Sequence, residues 1–308
     1  MADVLVREEP AWVGVAASII RRLPRGRYRA ANWLGGRRVG PFWARMPVDL
    51  GGLEFRCDLR DAIMRDVCFT GRYEPQETAL LRRILRPGMT FIDVGANWGY
   101  FTLAGAHLVG PAGRVISVEA DPAACEALRA NSAHNRLDWV SVTHMAAADQ
   151  SCTLRFQQYD AGATESGNYG VATTTTVVER GRKIEVYGRA LDDVLDEVDV
   201  DRVDLLKMDI EGGEGRALTG LKRRLTEHRV SQILLEVHPD HLRDQGSSAE
   251  QVVNQLRGYG YRPWSIDHSV AVTQRVAAGR LDVAEALTAL VDAGNLGPWP
   301  HLLWTLAA

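Results

Sequence analysis

The segment Asp93-x-Gly95-x-Asn97-x-Gly99 follows the apolar run Thr90 to Val94 and precedes a helix-like stretch. Glycines at such a turn let the backbone bend sharply and let a ligand approach closely. In an open α/β sheet, nucleotide-like ligands bind in the crevice outside the carboxyl end of the first strand. Glu119 lies 24 residues beyond Gly95, at the end of a second apolar run. That is near the spacing at which an acidic residue hydrogen-bonds a ribose diol in such folds.

Glycine spacing and charge narrow the ligand. Counted from Gly95, the third place is Asn97 and the sixth is Tyr100, so the dinucleotide fingerprint fails. A carboxylate at Asp93 would repel a pyrophosphate. It would attract a ligand bearing an ammonium and a sulfonium, as S-adenosylmethionine does. Glu119 would then take the ribose diol. Ala146 to Asp149 leave space for an adenine ring, with Asp149 in reach of its exocyclic amine; a tight strand-to-loop turn is the other reading of that stretch.

A second group is acidic. Asp209, Glu211 and Glu214 follow the run Val203 to Met208, and Glu236 and His238 end another. Methyl transfer is an in-line displacement on a poor nucleophile, so a group that removes the acceptor's proton helps. His238 is the best single candidate base, because an unperturbed imidazole titrates near neutrality. His238-Pro239 could equally close a strand on a loop carbonyl. Asp209 and Glu211 could orient the substrate, take its proton, or hold Mg²⁺ through oxygen ligands, although nothing else in the sequence supports a metal. Glu214 reads as a helix-start charge and Lys207 as a partner for a carboxylate. His107, His134, His144, His228, His241, His268 and His301 have no partner in the sequence and read as structural or exposed.

These residues need a frame, and the pattern supplies one. Pro75 fits a first helical position, with Leu80, Leu81, Ile84 and Leu85 as the apolar stripe. From there short apolar runs alternate with helical stretches: Thr90–Val94, Arg114–Val118, Val140–Met145, Val203–Asp209 and Ile233–Val237, with Tyr261–Ile266 and Leu302–Trp304 as last strands. That order implies a parallel sheet with covered faces. Asp121 and Pro122 read as an N-cap and first helical residue. Ser247 and Glu250 have capping-box spacing. A helix from about Glu214 carries Ala217, Leu218, Leu221 and Leu225 on one face. Residues 1 to 70 read as an N-terminal extension anchored by Trp12, Trp33 and Trp43, and residues 71 to 308 as the main domain. In the extension, Ala11 to Ile20 reads as a helix ending near Pro24. The glycine-rich stretch 157–185 reads either as a lid over a substrate or as a solvated hairpin.

Composition removes several classes. Lys and Arg number 36 against 39 Asp and Glu, giving a net charge of −3, so general nucleic-acid binding is disfavoured. The four cysteines form no close pair, which argues against a zinc site or a disulfide framework and suits a cytoplasmic setting. Ala11 to Ile20 is too short to span a bilayer. A homo-oligomer is left open.

The motifs resemble those of the FkbM-type methyltransferases, a branch of the class I S-adenosylmethionine-dependent enzymes. The resemblance rests on Phe91 to Tyr100 (FIDVGANWGY), Gly71-x-Tyr73-Glu74-Pro75, Val118-Glu119-Ala120-Asp121-Pro122, Lys207 to Glu214 (KMDIEGGE) and Leu235-Glu236-Val237-His238. It covers about residues 71 to 240. It departs from the family pattern at Ala120, where the family commonly has proline. The resemblance implies a Rossmann-like seven-stranded sheet whose last strand is antiparallel, with helices on both faces. It implies a donor pocket including Tyr73, Glu74, Asp93, Gly95, Asn97, Gly99, Glu119, Ala120, Ala146 and Asp209. It also implies O-methylation of a small-molecule hydroxyl, such as one on a polyketide or sugar. Two rival readings remain: an NAD(P)-dependent oxidoreductase on a similar sheet, and a donor-binding protein without catalysis.

Overall fold

In the computed structural model, an eight-stranded sheet carries the site. The structure describes residues 8–23, 26–35, 39–158, 182–292, 294, 296–297 and 299–307. The strands are β1 (Thr90–Val94), β2 (Arg114–Glu119), β3 (Val140–His144), β4 (Val203–Met208), β5 (Val230–Glu236), β6 (Tyr261–Ile266), β7 (Leu287–Ala289) and β8 (His301–Leu306). Their spatial order is β7-β6-β8-β5-β4-β1-β2-β3. The five strands from β5 to β3 are parallel, and β8 runs antiparallel between β5 and β6.

The expected seven strands are all present, and β7 is an eighth. It pairs with Trp264–Ile266 at the edge; three residues, Leu287-Thr288-Ala289, are too few to show a period. Phe91, Ile92, Val94, Leu205, Leu206, Ile233 and Leu235 are fully buried. Strands covered on both faces read as continuous apolar runs, which is why the sequence reveals them.

The helices between strands begin as their residue types dictate. Asp121 caps Pro122–His134 by accepting the N–H groups of Ala123 and Ala124 at 2.8 and 2.9 Å. The cap of Ala249–Gly258 is Ser248, which accepts the Gln251 N–H at 3.1 Å, and not Ser247. Ser248 holds the extended backbone a cap requires. The single helix expected from Glu214 is two, Glu214–Thr219 and Lys222–Thr226. They part at Gly220, where a Cβ would lie 2.0 Å from the Ala148 carbonyl oxygen. The shared apolar face survives, for Ala217, Leu218, Leu221 and Leu225 are all fully buried.

The N-terminal extension packs on the same core as the helices Pro75–Ile84 and Tyr100–Val109. Helix Ala11–Arg22 buries Val13, Ala17 and Ile20 and ends at Leu23. Trp12 lies against Phe69, and Trp43 stacks on His134 at 3.7 Å. Trp33 is 77% exposed rather than buried, because helix Arg27–Gly35 turns Ala31 and Leu34 inward. Of the 157–185 insertion, residues 159–181 lie outside the described residues; the flanking strands Cys152–Gln158 and Arg182–Arg189 pair antiparallel. Among the described residues no helix is long and apolar enough to cross a membrane.

One long-range tie secures β8. Glu77 is 1% exposed, and its Oε1 lies 2.7 Å from His268 Nε2 and 3.0 Å from His301 Nδ1. Burial pushes the Glu77 carboxyl up, but the charges of His301 and His268 and their hydrogen bonds outweigh it and hold the group well below the usual range. Burial lowers His301, and Glu77 more than reverses this, raising it to about 10. The depressed acid stabilises the fold above its ordinary pKa of 4.5, and the raised histidine fully below its ordinary 6.5 and decreasingly up to about 10, so the pair contributes most between pH 4.5 and 6.5. Replacing Glu77 by Ala takes the carboxylate from both histidines and leaves His301 with Glu236 alone, at 3.6 Å. The expected loss is about 3–5 kcal/mol, read from urea unfolding at pH 7.

Candidate active site

A cavity opens at the carboxyl ends of β1, β2 and β4. Its wall includes Gly95, Asn97, Glu119, Ala120, Ala146, Lys207, Asp209 and Glu211. Leu154 and Phe156 cover one side, and Ile63, Tyr73 and Tyr100 another.

The glycine turn is built by close approach. Gly95 has φ +80°, and a Cβ there would lie 1.8 Å from the Asp209 carbonyl oxygen. Gly99 (φ +102°) leaves room for the Leu128 side chain, 2.3 Å from where a Cβ would stand. Between them Asn97 holds a left-handed backbone, φ 51°. It donates its N–H to Glu119 Oε2 at 2.6 Å, and Asp121 donates to Oε1 at 2.7 Å. Glu119 therefore ties the turn to the end of β2. Burial pushes its carboxyl up to about 7, against those same N–H groups, which pull it down.

Asp93 is placed differently from expectation. It is 1% exposed and stands behind the wall rather than in it. Its Oδ2 accepts the Thr102 hydroxyl at 2.7 Å, and Thr102 in turn meets Ser117 at 2.8 Å. Alternation along β1 turns this side chain toward the helix that follows, where it meets Thr102 rather than the cavity. Burial raises its pKa, against the charge of Lys207, its register partner on β4. Asp149 is likewise taken: Arg216 donates to it at 2.6 Å. Gly99 and Glu74 also stand outside the immediate wall.

The acidic group assembles around His238. The residue is 3% exposed. Nδ1 lies 2.7 Å from Glu214 Oε1, and Glu214, fully buried, also accepts the Gly212 N–H at 3.0 Å. Nε2 faces Glu211 Oε2 at 3.4 Å, Glu236 Oε1 at 3.4 Å and Asp209 Oδ1 at 3.8 Å. Burial lowers the ring's pKa, but the bond to Glu214 and the surrounding carboxylates raise it to about 11. The premise that His238 titrates near neutrality is thus corrected by its neighbours. Glu214 is more than a helix-start charge, because it fixes the ring.

Sequence reasoning missed the partners of the other histidines. His241 Nδ1 sits 3.1 Å from Glu211. His301 Nε2 reaches Glu236 Oε1 at 3.6 Å because β8 sets those residues in register. No local signal announces a pairing made across so many residues. Lys207 behaves as expected, 3.5 Å from Asp209 and over the Phe101 ring at 4.5 Å.

Comparison with known proteins decides the family. Residues 93–263 match the model of the methyltransferase FkbM domain. The chain belongs to the FkbM methyltransferase family. It is 32% identical over 200 residues to the 31-O-demethyl-FK506 methyltransferase FkbM of Streptomyces tacrolimicus, covering 58% of this chain and 74% of that protein. It is 27% identical over 251 residues to the AMB antimetabolite synthetase AmbE of Pseudomonas aeruginosa, covering 70% of this chain but 12% of that one. Among solved structures, the methyltransferase FkbM of Methylobacillus flagellatus KT aligns with a TM-score of 0.40 and 16% identity, over 94% of this chain and 60% of that one.

Two outcomes test the FkbM-type turn. Gly95→Ala forces a contact the backbone cannot relieve and is expected to cost more than about 2 kcal/mol in urea unfolding. Glu119 has a folded pKa of about 7 against 4.5 when unperturbed, so its ionisation opposes folding as pH rises between those values. Replacing Glu119 by Gln should flatten that part of the stability–pH curve, whose depth in the parent is up to about 3 kcal/mol.

Proposed function

We propose that this methyltransferase takes its methyl group from S-adenosylmethionine and passes it to a hydroxyl of a small molecule. The observation that carries the reading is the continuous wall from Ala120 and Ala146 through Glu119 to Asp209 and Glu211. It offers, in order, a slot of small side chains, a carboxylate with free lone pairs, and an acidic end.

The residues fit the donor. The alanines leave room for a flat base, and Glu119 can accept ribose hydroxyls while still holding the Asn97 and Asp121 amides. When bound, S-adenosylmethionine supplies an electrophilic methyl on a sulfonium. The chain's own groups do the rest. Asp209 and Glu211 accept the acceptor's O–H and orient its oxygen, and the leaving proton passes to this carboxylate group. His238, fixed by Glu214, presents Nε2 to the same space and balances the negative charge there. The acidic end favours this catalytic reading over a protein that only holds the donor, and the failed dinucleotide fingerprint disfavours a nicotinamide enzyme.

Calorimetry should show one molecule of S-adenosylmethionine, or of its demethylated product, bound per chain, while NADH produces no signal. Protein that binds neither donor nor product sinks the proposal. With a hydroxyl acceptor found by screening polyketides and sugars against a methyl-labelled donor, Asp209→Asn and His238→Gln should each lower turnover by about a hundred-fold or more. Turnover that survives both changes removes these residues from the chemistry.

A further inference from the structure

We propose that His238, Asp209 and Glu211, whose donor atoms lie within 4.8 Å of one another, form a binding site for one divalent cation at the acceptor end of the cavity. The site's use in catalysis rests on the reading above; its existence does not.

The cluster is more than a patch of acid. Its centre is an imidazole nitrogen, 97% of whose residue is out of solvent, turned inward by a buried carboxylate on the opposite nitrogen. A carboxylate bound to the far nitrogen is the arrangement that fixes the tautomer of metal-ligating histidines. Nε2 has no carboxylate at the usual N–H···O length: its oxygens stand at 3.4, 3.4 and 3.8 Å, that of Glu236 as a long hydrogen bond. A normal N–H···O bond is about 2.7–3.2 Å. Two ligands of one ion at about 2.0–2.2 Å stand roughly 3.0–3.5 Å apart. The spacings are therefore long for hydrogen bonds and close to those of donors sharing an ion.

A further buried oxygen lacks a partner beside this group. Glu74 Oε2 makes no hydrogen bond, and oxygens of Glu74, Asp209 and Glu236 lie within 4.8 Å of one another. The only ammonium among them, Lys207, is bonded to Asp209 Oδ2, leaving Oδ1 to face His238.

The donor set selects the ion. One imidazole with several carboxylates suits Mn²⁺ or Zn²⁺ better than Mg²⁺, which prefers oxygen alone. Such an ion would bind the acceptor's oxygen and make its proton easier to lose to a neighbouring carboxylate.

The test uses the full chain, stripped of metal with a chelator and titrated with Mn²⁺ alone. Loss of the free-ion electron paramagnetic resonance signal should report one Mn²⁺ per chain. His238→Gln and Asp209→Asn should weaken binding more than ten-fold. Glu214→Gln, which bonds the far nitrogen and none of the proposed donor atoms, should weaken it by about 10–100-fold. Calorimetric binding of the demethylated donor shows that each variant is folded. Should His238→Gln fail to fold, Glu211→Gln, at a side chain 28% exposed, carries the same comparison. No stoichiometric Mn²⁺ binding overturns the inference. So does binding that all these variants retain, or binding lost instead in His268→Gln, which would place the ion at the Glu77 cluster. Protein that binds the demethylated donor but no Mn²⁺ refutes this site and leaves the proposed function standing. Mn²⁺ bound without the donor does the reverse.

Discussion

Lys207 is the counter-charge that lets the carboxyl edge of this sheet carry so much acid. It is 4% exposed and pairs in register with Asp93 on one side and Leu234 on the other. Burial alone would lower its pKa, but Asp209, Glu74, Asp93 and Glu236 raise it and keep it charged. The Phe101 ring covers the ammonium from the helix side. Because strands β1 and β4 are neighbours, this one cation serves both the glycine turn and the acidic cluster. A neutral residue there would leave one buried and several half-buried carboxylates facing each other, an arrangement relieved by protonation or by another cation.

Much of this frame is legible in the sequence for a plain reason. Parallel strands buried on both faces must be apolar along their length, and Phe91-Ile92, Val115-Ile116, Leu205-Leu206 and Ile233 to Leu235 are. The turn after β1 is legible because a second chain segment passes so close to Gly95 that only a hydrogen fits. Asp121 and Pro122 announce their helix because capping is local. Glu119 is visible from spacing, since chain order and spatial order coincide across β1 and β2.

What could not be read depends on the third dimension or on a side chain's aim. Asp93 has the right type at the right place, yet alternation along β1 points it behind the cavity, where it serves Thr102 and Lys207. His238 invites a reading from its unperturbed pKa, which no isolated sequence position can correct. Its environment comes from Glu214 in one helix and from Glu211 and Glu236 at two strand ends. The tie of Glu77 to His268 and His301 joins residues far apart in the chain and depends on β8 inserting beside β5. Trp33 shows the converse error: an aromatic type suggests burial, and the neighbouring Ala31 and Leu34 take that face instead.

Backbone strain links the two ends of the cavity. Among the described residues, six that are not glycine hold positive φ, and three of them are Glu74, Asn97 and Glu211. Each such position costs of order 1–3 kcal/mol unless the surroundings over-determine it. Glycine would remove the strain at all three, but also the side chains. Asn97 Oδ1 accepts the Trp98 N–H while its own N–H goes to Glu119, so the turn is clamped from both sides. Glu211 meets His238 and His241 from its strained backbone, with Gly212 beside it passing 2.6 Å from His241 at the place a Cβ would occupy. Strain is thus kept where a polar group must project from the sheet edge. The same sheet that aims Glu119 at one end aims the carboxylates at the other.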